Sequence, residues 1–427
     1  MNHILVVGGN TGREFSVVKK ISDLSNYSIS AYQWANNTIV ANLTKQYTVG
    51  DVRDVTNIVS FAKKTKPDFV FIGQGESIEA GVVDALEKEG FPCSAPRKVF
   101  SQLEAEKKYS LELVRSIDAS CVPATITLSR LDIDTIKHFI AHFGPKIVVK
   151  LDAKINSRGV HIFNMNTDTI GAIITFCKPW IQRGGEIMLQ EFIEGHEFSI
   201  VTYTDGNHYI HSPVTKNYKP IYDNNQGAQT SGMGSITWHD ENNIPNFPSH
   251  KIEKVKALHE KVLQKLQKKH KTHYKGALFG EFLITPTGTI KFIEFNVRFG
   301  NPSSINHFNL LEGNLFTFLH AIAHQKLATF NGSWKKLHSL TAYAVPKNYP
   351  YSKEYIGSSI DVSQIPPEAL YYAFMNYNNA HITAHFSRLF AIGLVGKHLI
   401  DLNTKMNEIM KHCNGHIHWR RDIGTDL

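Results

Sequence analysis

The chain has 427 residues, 42% apolar and 20% charged, with 46 basic against 38 acidic side chains and a formal net charge of +8. That length divides into about two to four domains of ordinary size, and the composition excludes a disordered or fibrous chain. No apolar run approaches the roughly 20 residues of a membrane span.

The opening MNHILVVGGN reads as a buried strand rather than a secretion signal. Cys93, Cys121, Cys177 and Cys413 are scattered, without metal-site or disulfide-framework spacing, which predicts a reducing cytoplasmic setting. Positive charge is spread along the chain and is densest in KLQKKHKTHYK, 265–275. Such a run reads as a solvated helix face. The surplus fits anionic small-molecule substrates, with no nucleic acid or membrane partner expected.

Residues 1–100 alternate between strand and helix. ILVVGG, YSISAYQWA and PDFVFIG read as strands; TGREFSVVKKISDL, VRDVTNIVSFAKKTK and IEAGVVDALEKEG read as helices. This is the pattern of a parallel α/β sheet. Residues 101–120 read as one helix. From 122 to 190, PKIVVKLD and GVHIFNM alternate with TIGAIITFCKPWIQRG as a compact α+β insert. Strands and helices follow from 191 to 327. TFNGSWKK, 329–336, reads as a linker before a last α+β piece over 337–427.

Six stretches carry chemistry. GGNTGRE, 8–14, joins the first strand to a helix, where glycines and a helix N-terminus suit an anion and Arg13 supplies a bidentate donor. Lys107 sits on the helix in QLEAEKKYS. Lys150 ends the apolar strand PKIVVK, where a lysine must reach water or an anion. LDAKINSRGV, 151–160, brings Ser157, Arg158 and Gly159 into a loop that can fold over phosphates. In LQEFIEGHEFSI, 189–200, Gln190 and Glu197 flank a turn whose Glu191–Ile193 backbone can pair with an adenine edge, while Glu197 suits ribose hydroxyls. Finally, FIEFNVRFGNP, 292–302, places Glu294, Asn296 and Arg298 on alternate positions, with Phe292, Ile293, Phe295, Val297 and Phe299 as a core wall. Glu281 lies on the preceding strand, across the turn TPTG. Two facing carboxylates repel unless a divalent cation lies between them, and hard oxygen donors suit Mg2+ or Mn2+.

These residues resemble the ATP-grasp ligases, and among them the phosphoribosylamine–glycine ligases of purine biosynthesis. The likeness runs through GGNTGRE, GVVDAL (81–86), LEAEK (103–107), VVKLDAKINSRGV, QTSGMG (229–234), EFNVRFGNP and RRDIG (420–424). The chain departs from the family pattern in several places. Phe15 stands for a histidine, GQGES for a Gly-Pro-Glu, Gln190 for a glutamate and Arg158 for a lysine. Asn301-Pro302-Ser303 stands for Asp-Pro-Glu, and Glu281 is an acid that these ligases often lack. The nucleotide half is thus kept and the substrate half altered.

The resemblance implies an α/β ATP-grasp fold: an N-terminal substrate-binding domain over 1–104, a central domain over 105–121 plus 191–327, a lid over 122–190 and a C-terminal α+β domain over 337–427. It implies ATP and Mg2+ as cofactors, and an amide formed through an acyl phosphate. Lys107, Lys150, Arg158, Gly159, Gln190, Glu191, Ile193 and Glu197 would hold the nucleotide. Glu281, Glu294 and Asn296 would hold the metal, and Arg298, Lys150 and Asp223 would act at the reacting groups. Gly12, Arg13, Glu14, Lys219, Ser231, Gly232, Met233, Arg298 and Asn301 would meet an amino-acid carboxylate and a phosphorylated sugar amine. A monomer or homodimer is expected. The altered residues keep two other readings in view, an amide ligase for a different acid–amine pair and a nucleotide-binding homologue without catalysis.

Overall fold

The computed structural model describes residues 2–152, 159–238, 247–378, 381–385 and 387–426. The chain forms two compact units, one of Met1–Ser101, Ser199–Phe279 and Asn296–Leu427, the other of Gln102–Phe198 and Gly280–Phe295.

The first unit begins with β1 (Asn2–Gly8), β2 (Tyr27–Gln33), β3 (Gln46–Val49) and β4 (Phe69–Ile72). They form a parallel sheet in the order β3–β2–β1–β4. β1 and β4 read as continuous apolar runs because both faces are covered. The half-exposed β3, QYTV, lacks that signal, and sequence reasoning missed it. The expected helix over IEAGVVDALEKEG is two helices, Gly75–Ala80 and Val82–Lys88, broken at Gly81 with φ +89°. A left-handed residue cannot continue a helix.

In the second unit β5 (Thr125–Leu128), β6 (Lys146–Leu151), β7 (Val160–Asn164) and β8 (Ile187–Glu191) form an antiparallel sheet in the order β5–β8–β6–β7. Helices Ile133–Phe143 and Ile170–Ile181 cover it, and Ile136, Phe139, Ile147, Val149, Phe163, Ile173 and Leu189 make its core. The helix expected over 101–120 is interrupted at Glu106, whose extended backbone separates Gln102–Ala105 from Lys107–Arg115.

β9 (His196–Thr204), β10 (Tyr209–His211), β11 (Thr215–Tyr222) and β12 (Gln226–Thr237) follow. In the first unit β12 pairs antiparallel with His338–Pro346, which pairs with Phe390–Gly396 and then Leu370–Tyr372. Segment 337–427 therefore continues this sheet instead of standing beside it. The stretch expected as a linker is tied down: Ser333–Trp334 pairs with Leu311–Glu312, and Trp334 Nε1 donates to His211 O at 2.8 Å. Helix Ser303–Leu310 is clamped to the sheet by Asn306, whose Nδ2 donates to Ser235 O at 3.0 Å and whose Oδ1 accepts from Ser339 and Thr341 at 2.9 and 2.6 Å.

In the second unit β13 (Gly276–Ile284) and β14 (Ile290–Asn296) form a hairpin closed at Thr285 and Thr289, with Gly288 at φ +76°. Both strands cross the unit boundary along the chain, β13 at Phe279/Gly280 and β14 at Phe295/Asn296. No helix among the described residues is long and apolar enough to cross a membrane.

Candidate functional site

Two groups of expected site residues assemble, one in each unit. In the second unit the hairpin determines where its acids point. The rings of Phe292 and Phe295 lie 4.6 Å apart, and both lie near Phe282, at 5.7 and 6.3 Å. Residues three apart share a side of a strand only where the alternation slips by one residue. The strict alternation expected over 292–299 is thus broken between Phe292 and Phe295, as a bulge would break it. Glu281 is next to Phe282 and Glu294 next to Phe295, so both carboxylates turn to the side away from the rings. Glu281 is buried and Glu294 half-buried.

Lys107 opens its helix within reach of the Glu294 charge. Burial lowers its pKa, and the charges of Glu294, Asp152 and Glu104 oppose that shift. Asp152 binds the helix start directly: its Oδ1 accepts from the N–H groups of Lys107 and Lys108 at 2.8 and 3.3 Å. An anion at a helix N-terminus satisfies orphan donors and the helix dipole. Asp152 follows β6, where Lys150 is buried opposite Val160 and Met188, so one carboxylate links the two lysine-bearing elements. Sequence reasoning missed this role, although an acid two residues beyond a buried lysine was visible.

The remaining nucleotide residues have varied surroundings. Gly159 is buried, and Arg158 lies outside the described residues. Gln190 is buried on β8, its Nε2 donating to Thr125 Oγ1 at 3.0 Å. The N–H of Glu191 donates to Ala124 O at 3.0 Å and its Oε1 accepts from Ala124 N at 2.8 Å. That peptide N–H is therefore used within the unit and is not free for an adenine edge. Ile193 is half-buried and Glu197 exposed. Among the described residues no three or more His, Cys, Asp or Glu side chains gather as a metal centre. Within this unit the hairpin carries two carboxylates, those of Glu281 and Glu294.

In the first unit the glycine turn is built around Glu14. Its carboxylate accepts from Thr11 N at 2.9 Å, from Thr11 Oγ1, and from Arg13 Nε and Nη2 at 2.7 and 2.6 Å. Arg13 Nη1 donates to Phe299 O at 2.9 Å. The fork expected to face an anion instead closes on Glu14, because a buried guanidinium needs a counter-charge. Burial lowers the Arg13 pKa, Glu14 opposes the shift, and nearby Arg298 adds to it. The N–H of Gly12, also expected at an anion, donates to Tyr343 Oη at 3.1 Å. Tyr343 Oη in turn donates to Asn301 Oδ1 at 2.7 Å. Arg298 Nη2 donates to Asn296 Oδ1 at 3.0 Å.

Arg388 joins Ser231, Gly232 and Asn301 by donating to their carbonyls, and its Cζ lies 4.9 Å from the Tyr343 ring centre. Neither Tyr343 nor Arg388 was found from the sequence. Each lies in or beside an apolar strand that reads as core.

Two further expectations change, those for Met233 and Asp223, while Lys219 is placed without being reassigned. The Met233 side chain packs with Ile221 and Val345, so it is a core residue. Asp223 Oδ1 accepts from Arg421 N at 2.8 Å, which makes that carboxylate a loop anchor. Lys219 lies half-buried on β11, where its carbonyl accepts from Thr230 Oγ1 at 2.6 Å. The same loop is held by fully buried Arg420, which pairs with Asp422 at 2.6 Å and donates to Asn225 Oδ1 at 3.0 Å.

Two family models match: the phosphoribosylglycinamide synthetase N domain over residues 2–104 and the ATP-grasp (A) domain of the same synthetase over 105–304. A phosphoribosylamine–glycine ligase from Pyrococcus furiosus is 30% identical, covering 100% of this chain and 95% of that protein. One from Methanoregula boonei is 29% identical over 99% of this chain and 96% of its own length. Among solved structures, phosphoribosylamine–glycine ligase from Thermotoga maritima superposes with a TM-score of 0.76 at 19% identity, covering 98% of this chain and 100% of that one. The biotin carboxylase domain of Hydrogenobacter thermophilus 2-oxoglutarate carboxylase, solved with MgADP, does so at 0.72 and 14% identity, covering 97% and 91%. At these identities the two structures share the fold.

Proposed function

The chain belongs to the phosphoribosylglycinamide synthetase family of ATP-grasp ligases, and from that premise we propose that it joins 5-phosphoribosylamine, glycine and ATP into glycinamide ribonucleotide, ADP and phosphate. It is a C–N bond-forming ligase of purine biosynthesis that uses ATP and Mg2+. The observation that carries the reading is the hairpin of the second unit. Glu281 and Glu294 turn to one side, and the charge of Glu294 is felt by Lys107 at its helix start.

The donors fit the ion. Two carboxylates on neighbouring strands repel without a cation, and hard oxygens match Mg2+. Glu281 and Glu294, with Asn296 two residues further along β14, would hold it, and when bound it would neutralise phosphate charge. Lys107 and Lys150, together with Arg158 and Gly159, would offset the charge on the transferring phosphoryl group. Gln190 and the backbone near Ile193 would orient the base, and Glu197 the ribose. In the first unit Arg298 would attract the anionic substrates, and Gly12, Ser231, Gly232 and Asn301 would shape their site. Arg13 and Glu14 would support the turn from behind, and Asp223 would fix its loop.

Glycine's carboxylate attacks the γ-phosphorus, and ADP leaves. The amine then attacks the acyl phosphate carbonyl, releasing phosphate and a proton as the amide forms. The chemistry needs no protein nucleophile; orientation and electrostatics supply the rate.

Release of phosphate from ATP should require glycine and phosphoribosylamine together. Glu294→Ala should lower that turnover by about 100-fold or more while the far-ultraviolet circular dichroism stays the same. Magnesium with a non-hydrolysable ATP analogue should raise the melting temperature of the parent protein but not of the variant. Undiminished turnover in the variant rejects the metal assignment.

A further inference from the structure

Three arginines are buried among the described residues: Arg13, Arg388 and Arg420. Two of them meet a carboxylate at 2.6 Å, Arg13 at Glu14 and Arg420 at Asp422. Arg388 meets none among the described residues. Its Nη1 donates to Ser231 O at 2.7 Å and Gly232 O at 3.3 Å, with Asn301 O at 3.5 Å, and its charge lies over the Tyr343 ring. Carbonyl dipoles and a ring face stabilise a cation, but less than an anion does. A buried charge without a counter-charge costs several kcal/mol.

The surroundings are also short of acid. Asn301, whose Oδ1 accepts from Tyr343, and Ser303 are both uncharged. Ser303 Oγ is buried with no hydrogen-bond partner among the described residues. The Nε and Nη2 groups of Arg388 donate to no described residue, and they form one edge of the guanidinium fork. A carboxylate or a phosphate presents two oxygens to such an edge.

We propose that Arg388, held by the Ser231, Gly232 and Asn301 carbonyls and backed by Tyr343, is the oxyanion anchor for one of the two anionic substrates. This rests on the ligase reading above. The shared chemistry is a doubly accepting oxyanion. It is supplied either by the amino acid's carboxylate or by the sugar amine's phosphate.

The test is steady-state kinetics on the full chain with Arg388→Gln, Arg388→Lys and Asn301→Asp. Arg388→Gln should raise one substrate KM by about 10–100-fold, the range for losing a charged hydrogen-bond pair, and leave the ATP KM in place. A rise in the glycine KM identifies the carboxylate, and a rise in the phosphoribosylamine KM the phosphate. Arg388→Lys should recover part of the loss. Asn301→Asp supplies an internal acid and should raise the same KM, and it serves alone if the glutamine variant does not fold. Unchanged substrate KM values in Asn301→Asp and in every folded Arg388 variant overturn the proposal. If the parent protein turns over neither substrate, the ligase reading fails separately. Melting shifts with inorganic phosphate and with acetate then decide: a shift lost in Arg388→Gln, or in Asn301→Asp, supports the anchor, and shifts that persist or are absent throughout overturn it.

Discussion

Arg13 shows how far a single residue can be read from its neighbours. A basic side chain after a glycine turn looks like an anion receptor, yet its fork is closed by Glu14 at 2.6 Å and by Phe299 O. The neighbouring glycines make room for that pairing. A Cβ at Gly8 would lie 2.2 Å from Glu14 Cγ, and one at Gly73 would lie 2.0 Å from Glu14 Oε1. Both glycines make room for the close packing of a carboxylate. Glu14→Ala should therefore destabilise the protein by about 3–5 kcal/mol, since it strands a buried guanidinium. Gly73→Ala should cost about 1–3 kcal/mol through overpacking. Urea unfolding measures both, and a Glu14→Ala midpoint equal to the parent's would show that Arg13 does not depend on this partner.

At the scale of elements, Asp152 couples a strand to a helix. By accepting from the first two N–H groups of Lys107–Arg115, it sets where that helix begins and so where Lys107 stands. The break at Glu106 has the same origin, because the chain leaves the helical path where an outside carboxylate takes over the capping. Loss of a cap costs about 1 kcal/mol, which corresponds to roughly fivefold in an equilibrium constant. Asp152→Ala should raise the ATP KM by about that factor and leave the glycine KM unchanged. Asp152→Asn, which keeps an acceptor, should recover part of the loss. Equal changes in both KM values would mean that the substitution loosens the fold without moving Lys107. The slip in alternation along β14, read from the Phe292 and Phe295 rings 4.6 Å apart, belongs to this scale too. It turns Glu294 to the side of Glu281, a result that strict alternation from the turn would not deliver.

Across the whole molecule, buried histidines set the response to acid. His307 is fully buried between Tyr203 Oη at 2.7 Å and Thr215 Oγ1 at 2.9 Å, and burial lowers its pKa to about 3; His259, buried beside Thr202, is lowered to about 3 as well. Both are neutral when folded and take up a proton on unfolding below 6.5. Their stabilising effect is therefore complete above pH 6.5 and declines as pH falls toward about 3. Each histidine should cost about 1 kcal/mol per pH unit in that window. Urea midpoints at several pH values should show this, with a shallower slope for His307→Gln; an identical slope would assign the acid sensitivity elsewhere.

Much at this scale was legible in the sequence. The apolar runs of β1 and β4, the buried lysine strand and the acidic hairpin all announce themselves, because covered strands need continuous apolar residues and a buried charge in such a run is rare. The half-exposed β3, the pairing of His338–Pro346 with β12, the closure of Arg13 on Glu14 and the stranding of Arg388 do not. They depend on partners between a single residue and more than a hundred residues away in the chain. The sequence by itself determined the kinds of chemistry present and the elements that carry them, through local periodicity and residue type. Which buried arginines meet an internal carboxylate, and which meet none among the described residues, was decided only by the tertiary structure, because burial and counter-charge arise between segments that meet only on folding.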